Sequence, residues 1–334
     1  MLNMSIAIVI LNFNGRKFLE KFLPKVIAHS PEGEIYVADN CSTDDSVAYL
    51  KEHYPSIKRI CMDKNRGYAG GYNHALKEIQ ADYFVLMNSD IEPKENWLSP
   101  LIQYFKEHPA TAAVQPFIMK YDQPEFFEYA GAAGGLIDYL GYPFCRGRIF
   151  DTLEKNKNQY PTDKIHWATG ACLMVNSTKY WEVGGLDEYF FAHQEEIDLC
   201  WRFRSSGYEC AAVSESQVLH VGGGTLDQEN PFKTYLNFRN NLILLHKNLP
   251  SQHKFKIITL RLILDGIAGI KFALNFKFNH TWAIIKAHGG FYNYLLFNPN
   301  KQKNTQQMKN VELFEKSIIF NYFIKGKKTF KDLN

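Results

Sequence analysis

The chain is predicted to be an α/β protein with a mostly parallel central sheet, followed by a C-terminal helical extension. Three observations lead there. From residue 5 to about 116, short continuous apolar runs alternate with segments of helical period, joined by short loops. Several of those runs stop abruptly at Asn or Asp, as buried parallel strands do where they meet a turn. Beyond residue 231 the pattern becomes mostly helical and the charge changes sign: 231–334 holds 17 Lys and Arg against 4 Asp and Glu, whereas 1–230 holds 21 against 31.

Taken in order, SIAIVIL (5–11) is a central strand and NFNG (12–15) a turn. Phe18, Leu19, Phe22, Leu23 and Val26 give 16–29 a helical period, with Pro24 as an expected kink or break. EIYVAD (34–39) is a second strand, with Ser42, Thr43 and Asp44 as N-caps for a helix over about 44–53. A short strand at 57–61 precedes NRGYAGGYN (65–73), which opens a helix to about Gln80. YFVLMN (83–88) is a strand, 95–108 a helix and 112–116 a strand. The glycine-punctuated stretch 117–164 reads as an irregular, partly mobile excursion rather than a separate domain. A strand at 171–175, a loop at 184–191, a helix at 195–206 and strands at 208–213 and 216–220 complete the alternation, which indicates a parallel, doubly wound sheet.

The 334 residues suffice for one large α/β domain with an extension, at 1–230 and 231–334. Six cysteines form no C-x-x-C pair, which argues against a zinc ribbon or redox motif, and scattered thiols suit a reducing compartment. The apolar N-terminus lacks a basic flank and a small-residue cleavage site, so it reads as a first strand. The most apolar helical stretch, 257–276, is interrupted by Arg261, Asp265 and Lys271, which disfavours a membrane span. Amphipathic helices lying on an anionic membrane surface fit the basic, aromatic-rich tail. Packing of the same apolar faces on the catalytic part or on a second copy of the chain is the other reading. No nucleic-acid recognition motif accompanies the basic charge. The expected location is the cytoplasm, peripheral to the inner face of the membrane.

Polar residues collect at the strand ends: Asn12 and Asn14, Asp39 and Asn40, Asn88 and Asp90, and His220. In an open α/β sheet such ends lie along one edge, where ligands bind. Asp90 can hold a hard divalent cation, and through it a diphosphate, or can simply start the turn before Pro93. His220 is a ligand or a core histidine. The loop 65–73 lacks the G-x-G-x-x-G spacing, which excludes the dinucleotide fingerprint. Its glycines still allow close backbone approach, ahead of a helix N-terminus.

In order, VILNFNG (9–15), YVADNCSTDDS (36–46), NRGYAGGYN (65–73) and YFVLMNSD (83–90) resemble the motifs of the family 2 glycosyltransferases. GGLDEYFFAHQEEIDLCWRFRSSGY (184–208), VLHVGGGT (218–225) and YLNFRNN (235–241) resemble the branch containing bacterial rhamnosyltransferases. The resemblance spans about 5–245. It implies a GT-A fold, with a nucleotide-sugar half at about 1–115 and an acceptor half at about 116–230. It also implies inverting transfer from a dTDP- or UDP-sugar to a glycan or lipid-linked acceptor, with Mg2+ or Mn2+ as cofactor.

The residue roles follow from the same resemblance. Asn12, Asn14, Asp39, Asn65 and Gly67 would line the donor pocket. Asp90 would be the last residue of a DXD-type motif, with Asn88 where many members carry Asp, so the site is one charge short. His220 would be the second metal or diphosphate contact. The family's base lies in a Glu-Asp pair opening a helix; here that pair is Glu195-Glu196, and Glu196, one methylene longer than Asp, is the expected base with Glu195 beside it. Helix-terminus charge stabilisation is the other reading of both. Asp198 and Arg202, four apart, form a structural pair. Trp167, Gly170 and Ala171 border the acceptor, Trp167 either stacking on a sugar or buried. Arg239 and Asn240 match an RN pair that contacts the diphosphate or a closing helix.

Two other functions fit parts of the pattern. A nucleotidyltransferase would need a glycine-rich, basic loop after the first strand, and NFNGRK has a single glycine. A sugar-binding pseudo-transferase or membrane scaffold is suggested by Asn88 and Glu196 departing from the family pattern.

Overall fold

In the computed structural model, which describes residues 4–222, 229–298 and 311–333, the apolar runs are strands and the periodic segments are helices. The first half is β1 (Ile6–Asn12), α1 (Arg16–His29), β2 (Glu34–Asp39), α2 (Ser46–His53), β3 (Lys58–Cys61), α3 (Gly67–Lys77), β4 (Tyr83–Asn88), β5 (Ile91–Pro93) and α4 (Leu98–Glu107). Pro24 neither breaks nor ends α1. It lies on the solvent face, where water can satisfy the carbonyl that the ring leaves unbonded.

The second half departs further from expectation. β6 (Thr111–Lys120) is twice as long as the apolar run suggested. The supposedly irregular stretch folds into a four-stranded antiparallel meander, β7 (Gly135–Ile137), β8 (Pro143–Cys145), β9 (Arg148–Ile149) and β10 (Thr152–Leu153). Its strands have two or three residues each, too short to leave a periodic trace in the sequence. β11 (Asp163–Ile165), β12 (Cys172–Asn176), α5 (Ser177–Glu182), α6 (Glu195–Ser205) and β13 (Glu209–His220) follow. The two strands expected at 208–220 are one strand, bulged between Val213 and Gln217 where it pairs with β6.

The main sheet runs β11-β13-β6-β12-β4-β1-β2-β3, with β5 paired to β13. β1, β2, β3 and β4 are parallel, as are β6 and β13. The sheet is mostly parallel, as expected, and β12 is an exception, antiparallel to both β4 and β6. The chain reaches β12 from the carboxyl edge of the sheet, after the meander, so it must run back. This reversal puts the start of β12 at the edge where β1, β2 and β4 end.

Alternation along the strands divides the core in two. Ile8, Ile10, Val85 and Met87 face Leu19 and Leu23 of α1 and Leu101 of α4. Ala7, Val9 and Leu86 face Tyr72 and Leu76 of α3 and Trp201 and Phe203 of α6. α7 (Pro231–Asn248) buries Leu242, Ile243, Leu244 and Leu245 in the same core. α8 (Ser251–Leu274) and α9 (Phe278–Phe297) form a helical hairpin beside it. Residues 311–333 combine irregular chain with short helical turns at Phe320–Ile324 and Lys331–Leu333, and cover the meander through Ile318, Tyr322 and Leu333.

An ion cluster centred on the fully buried Asp198 ties α6 to α7. Asp198 accepts from Arg202 at 2.8 Å, Lys247 at 2.8 Å and Asn248 at 2.9 Å, so the expected Asp198–Arg202 pair is one arm of a larger hub. Arg202 also donates to the carbonyls of Val183 and Gly185, ahead of the 188–194 loop. Burial pushes the Asp198 carboxyl up, but Lys247 and Arg202 outweigh it and hold it down at about 2. Asp198→Asn leaves the largely buried Arg202 without a carboxylate partner and Lys247 with Asp187 alone, and should cost about 3 kcal/mol in urea unfolding at neutral pH. A depressed carboxyl stabilises above its ordinary range and loses that contribution as pH falls through the folded value. The gap between wild type and variant should therefore hold down to about pH 4 and narrow only below it.

Candidate active site

Three polar clusters meet at the carboxyl edge of the sheet. The first is built by β1 and β2, whose parallel register sets Asn12 beside Asp39. Asn12 donates to Asp39 Oδ2 at 2.9 Å, and the backbone N–H of Ser42 donates to Asp39 Oδ1 at 2.9 Å. Asn14 adopts φ 52 and its side-chain oxygen accepts from the Thr43 N–H at 2.7 Å, so it holds the 42–44 loop in place. Asn40 donates to Asn65 Oδ1 and to the Gly67 carbonyl, and Asn65 Oδ1 accepts from the Gly67 N–H at 2.8 Å. Gly67 has φ +69, and a Cβ there would lie 2.5 Å from the Phe191 carbonyl oxygen. Only glycine fits both the backbone and that approach.

The second cluster centres on His220. β5 pairs antiparallel with the end of β13, His220 opposite Ile91, and the Val221 N–H donates to the Asp90 carbonyl. This brings Asp90 Oδ1 to 3.2 Å from His220 Nε2, while Glu128 Oε2 lies 3.0 Å from His220 Nδ1. All three side chains are buried. Burial works against the imidazolium, yet the flanking carboxylates prevail and push His220 up to about 10. Burial likewise opposes ionisation of Asp90 and Glu128, and hydrogen bonding to His220 draws both below their ordinary range. The cluster is thus a carboxylate–imidazolium–carboxylate chain. Glu128 was not foreseen; it lies in the meander's approach, where nothing in the local pattern marks it.

Asp90 and His220 fit a divalent cation by the chemistry of their facing atoms. With Glu128 holding the Nδ1 proton, a cation would have to displace the proton on Nε2, and Nε2, beside a carboxylate oxygen, would then be the ligating nitrogen. Among the described residues no three His, Cys, Asp or Glu side chains form a closed metal site. An open site with two protein ligands, completed by phosphate oxygens and water, suits Mg2+ or Mn2+. Asn88 stands half-buried at the same edge, its N–H donating to the Ala171 carbonyl at 3.0 Å. The glycines expected after Val221 fall partly in 223–228, outside the described residues.

The third cluster begins where β12 starts. Tyr68, in the first turn of α3, donates its hydroxyl to the Gly170 carbonyl, and the Gly170 N–H faces the Glu196 carboxylate. Glu195 and Glu196 open α6. Oε2 of each is buried and makes no hydrogen bond to the described residues. Burial raises both carboxyls, and backbone N–H groups only partly offset it for Glu196, which stands at about 7. Glu195 is raised further, by burial and then by the charge of Glu196. The two carboxyls interact, so the pair takes up a proton more readily than ordinary glutamates do. Glu196 is also the more exposed of the two. Tyr68 was quoted within the 65–73 motif but given no role; its own acidity is suppressed by burial, so it remains a donor.

The loop leading into α6 is bent out of ordinary backbone geometry. Phe191, His193 and Gln194 have φ of 65, 68 and 70. Asn240 fixes them by donating to the carbonyls of Phe190, Ala192 and His193 at 2.7–3.0 Å, and Arg239 donates to those of Tyr189 and Phe190. The expected RN pair therefore braces the loop that leads into Glu195 and Glu196. Trp167 is 6% exposed, its ring against Gly135 and its N–H donated to the Leu136 carbonyl at 3.0 Å, which favours the buried reading over stacking on a sugar.

Residues 7–184 match the family described as Glycosyl transferase family 2, more than half of the chain. The N-acetylglucosaminyl-diphospho-decaprenol L-rhamnosyltransferase of Mycobacterium tuberculosis is 24% identical over 235 residues, covering 64% of this chain and 75% of that protein. Among solved structures, S. aureus TarS 1–349 in complex with UDP-GlcNAc superimposes with a TM-score of 0.56 at 15% identity, covering 86% of this chain and 80% of that one. The mannosyltransferase PcManGT from Pyrobaculum calidifontis, in complex with GDP-Man and Mn2+, does so with a TM-score of 0.52 at 13% identity, covering 88% and 76%. The chain belongs to glycosyl transferase family 2 and is an enzyme on the GT-A fold.

Proposed function

We propose that the enzyme moves a hexosyl unit, rhamnose being the foremost candidate, from a dTDP- or UDP-sugar to a hydroxyl of a lipid-linked glycan, with inversion at the anomeric carbon. The observation that carries this reading is the bridge made by Gly170 and Ala171. Ala171 is bonded to Asn88 at the diphosphate edge, while Gly170 faces Glu196, so a single turn joins the leaving-group end to a carboxylate near neutral pKa. The Mycobacterium tuberculosis relative is named for a lipid-linked acceptor, which supports the acceptor class.

The donor's base and ribose would lie along the first cluster, Asn12, Asp39, Asn65 and Gly67, with Asn14 holding its rim. Asp90 and His220 would seat Mg2+ or Mn2+, whose charge favours departure of the nucleoside diphosphate. Glu196 takes the proton of the acceptor hydroxyl as its oxygen bonds to the anomeric carbon and the bond to the diphosphate oxygen breaks. Glu195, whose carboxyl is raised by burial and by the charge of Glu196, orients that carboxylate or the acceptor. Tyr68 fixes the Gly170 turn against which Glu196 rests, and Asn240 fixes the loop that carries it.

A panel of nucleotide-sugars with Mn2+ tests the reading. Slow hydrolysis of one donor is expected, and faster transfer when a lipid-linked acceptor is present. Glu196→Gln should lower turnover by at least about 100-fold. Because the base must be ionised, turnover should fall on the acid side with an apparent pKa near 7, a limb missing from the residual activity of Glu196→Gln. Donor binding with no turnover under any acceptor would sink the transferase reading in favour of a sugar-binding scaffold, and pyrophosphate release from a sugar phosphate and a nucleoside triphosphate would replace it with nucleotidyl transfer.

Asp90→Asn should abolish transfer, whereas Asn88→Asp should be tolerated, since it restores a charge at an edge already built for cations. Normal turnover of Asp90→Asn with Mn2+ would remove the metal assignment.

Glu128→Gln removes the carboxylate from the Nδ1 side of His220 and leaves Asp90 on the other. Titration with Mn2+, followed by calorimetry, should show affinity weakened by roughly 10- to 100-fold.

A further inference from the structure

In the α8–α9 hairpin, the fully buried positions of α8 are polar or small while large aliphatic residues face outward. The buried residues of α8 are Arg261, Asp265 and Gly269. Arg261 lies 3.7 Å from Asp265, donates to the Leu140 carbonyl and stacks its guanidinium 3.5 Å from the Tyr142 ring centroid; His288 of α9 lies 3.5 Å from Asp265. Its outer face carries Ile263, Ile267, Ile270 and Leu274, spaced by four and three, at 57–76% exposure. On α9 the outward stripe continues through Trp282, Ile285, Tyr292 and Leu296, again three or four apart where large residues occur, at 50–73%. A helix on a water-facing surface shows the opposite polarity, with charge outward and aliphatic residues inward. Contiguous apolar faces of this extent mark a contact surface.

We propose that this outer face is a docking surface for an anionic lipid bilayer, lying flat at the boundary between headgroups and acyl chains. Charge complementarity selects this occupant over a second copy of the chain. The 231–334 region holds 17 Lys and Arg against 4 Asp and Glu, so two copies set face to face would bring like charges together, whereas an anionic leaflet supplies the opposite sign. Lys271 lies 5.4 Å from the Phe323 ring, which extends the same face to exposed Phe323 and Ile324 and to Lys325. Trp282 and Tyr292 have the amphipathic rings that settle at the headgroup level. No described helix is long and apolar enough to cross a membrane, and the ionic inner face of α8 keeps the hairpin in the plane of the surface. The surface is independent of the catalytic reading: its failure would leave transfer intact, and failure of transfer would leave it intact.

Sedimentation of the full chain with vesicles tests the proposal. Most of the protein should pellet with vesicles of roughly 3:1 phosphatidylcholine to phosphatidylglycerol, and little with phosphatidylcholine alone. Ile267→Glu with Ile270→Glu should weaken binding at least about tenfold while thermal melting and donor hydrolysis stay unchanged. Trp emission should shift to the blue on vesicle binding, and Trp282→Phe should lose most of the shift. Failure to pellet with anionic vesicles, or wild-type binding by the double variant, overturns the proposal. So does a dimer in solution that the double variant splits, which would assign the face to a second copy.

Discussion

The antiparallel pairing of β5 with the end of β13 is the contact on which the Asp90–His220 edge depends. β5 is three residues long and follows β4 by a turn of two residues. By crossing to β13 rather than continuing beside β1, it carries Asp90 across the edge and leaves its carboxylate 3.2 Å from His220. The bulge in β13 between Val213 and Gln217 lets that strand keep pairing with β6 far enough to deliver His220 there. Glu128, returning from β6, closes the chain of charges. Remove the β5 pairing and the three groups have no reason to meet.

Carboxylates in this protein are sorted by what surrounds them. Asp90, Glu128 and Asp198 are each buried against cationic partners and stay ionised. Glu195 and Glu196 are buried with little but each other and backbone N–H groups, and both are raised. The first group anchors and the second can exchange a proton, a division of labour set by environment alone, since all five are carboxylic acids. The cost of holding the second pair falls on the loop before α6, where three non-glycine residues take left-handed backbone angles under the grip of Asn240 and Arg239. The Asp198 hub anchors the same helix from its other side, through Lys247 of α7.

Much of this was legible in the chain. Strand ends marked by Asn and Asp, the glycine-bearing turn before α3 and the paired glutamates each carry a local physical signature, and together they located the edge where the site forms. The meander between Gly135 and Leu153 was not legible, because strands of two or three residues show no period. Neither was the reversed direction of β12, since an apolar run does not encode its direction in a sheet. Glu128 and Tyr68 had no local signal either; each acquires its role from a partner 92 and 102 residues away, His220 and Gly170. Trp167 had a true ambiguity, and the absence of a side chain at Gly135 decided it by opening the space its ring fills.

By itself the sequence determined which residues are chemically able to act: acidic and amide groups at strand ends, a histidine ending the last strand, two adjacent glutamates opening a helix, and a basic, aromatic C-terminal region. Periodicity and side-chain type are local properties, so the chain displays them directly. Only the tertiary structure decided which of these groups meet, which carboxylates keep their protons, and which face of α8 looks outward. Those outcomes depend on pairing, burial and packing between segments far apart in the chain.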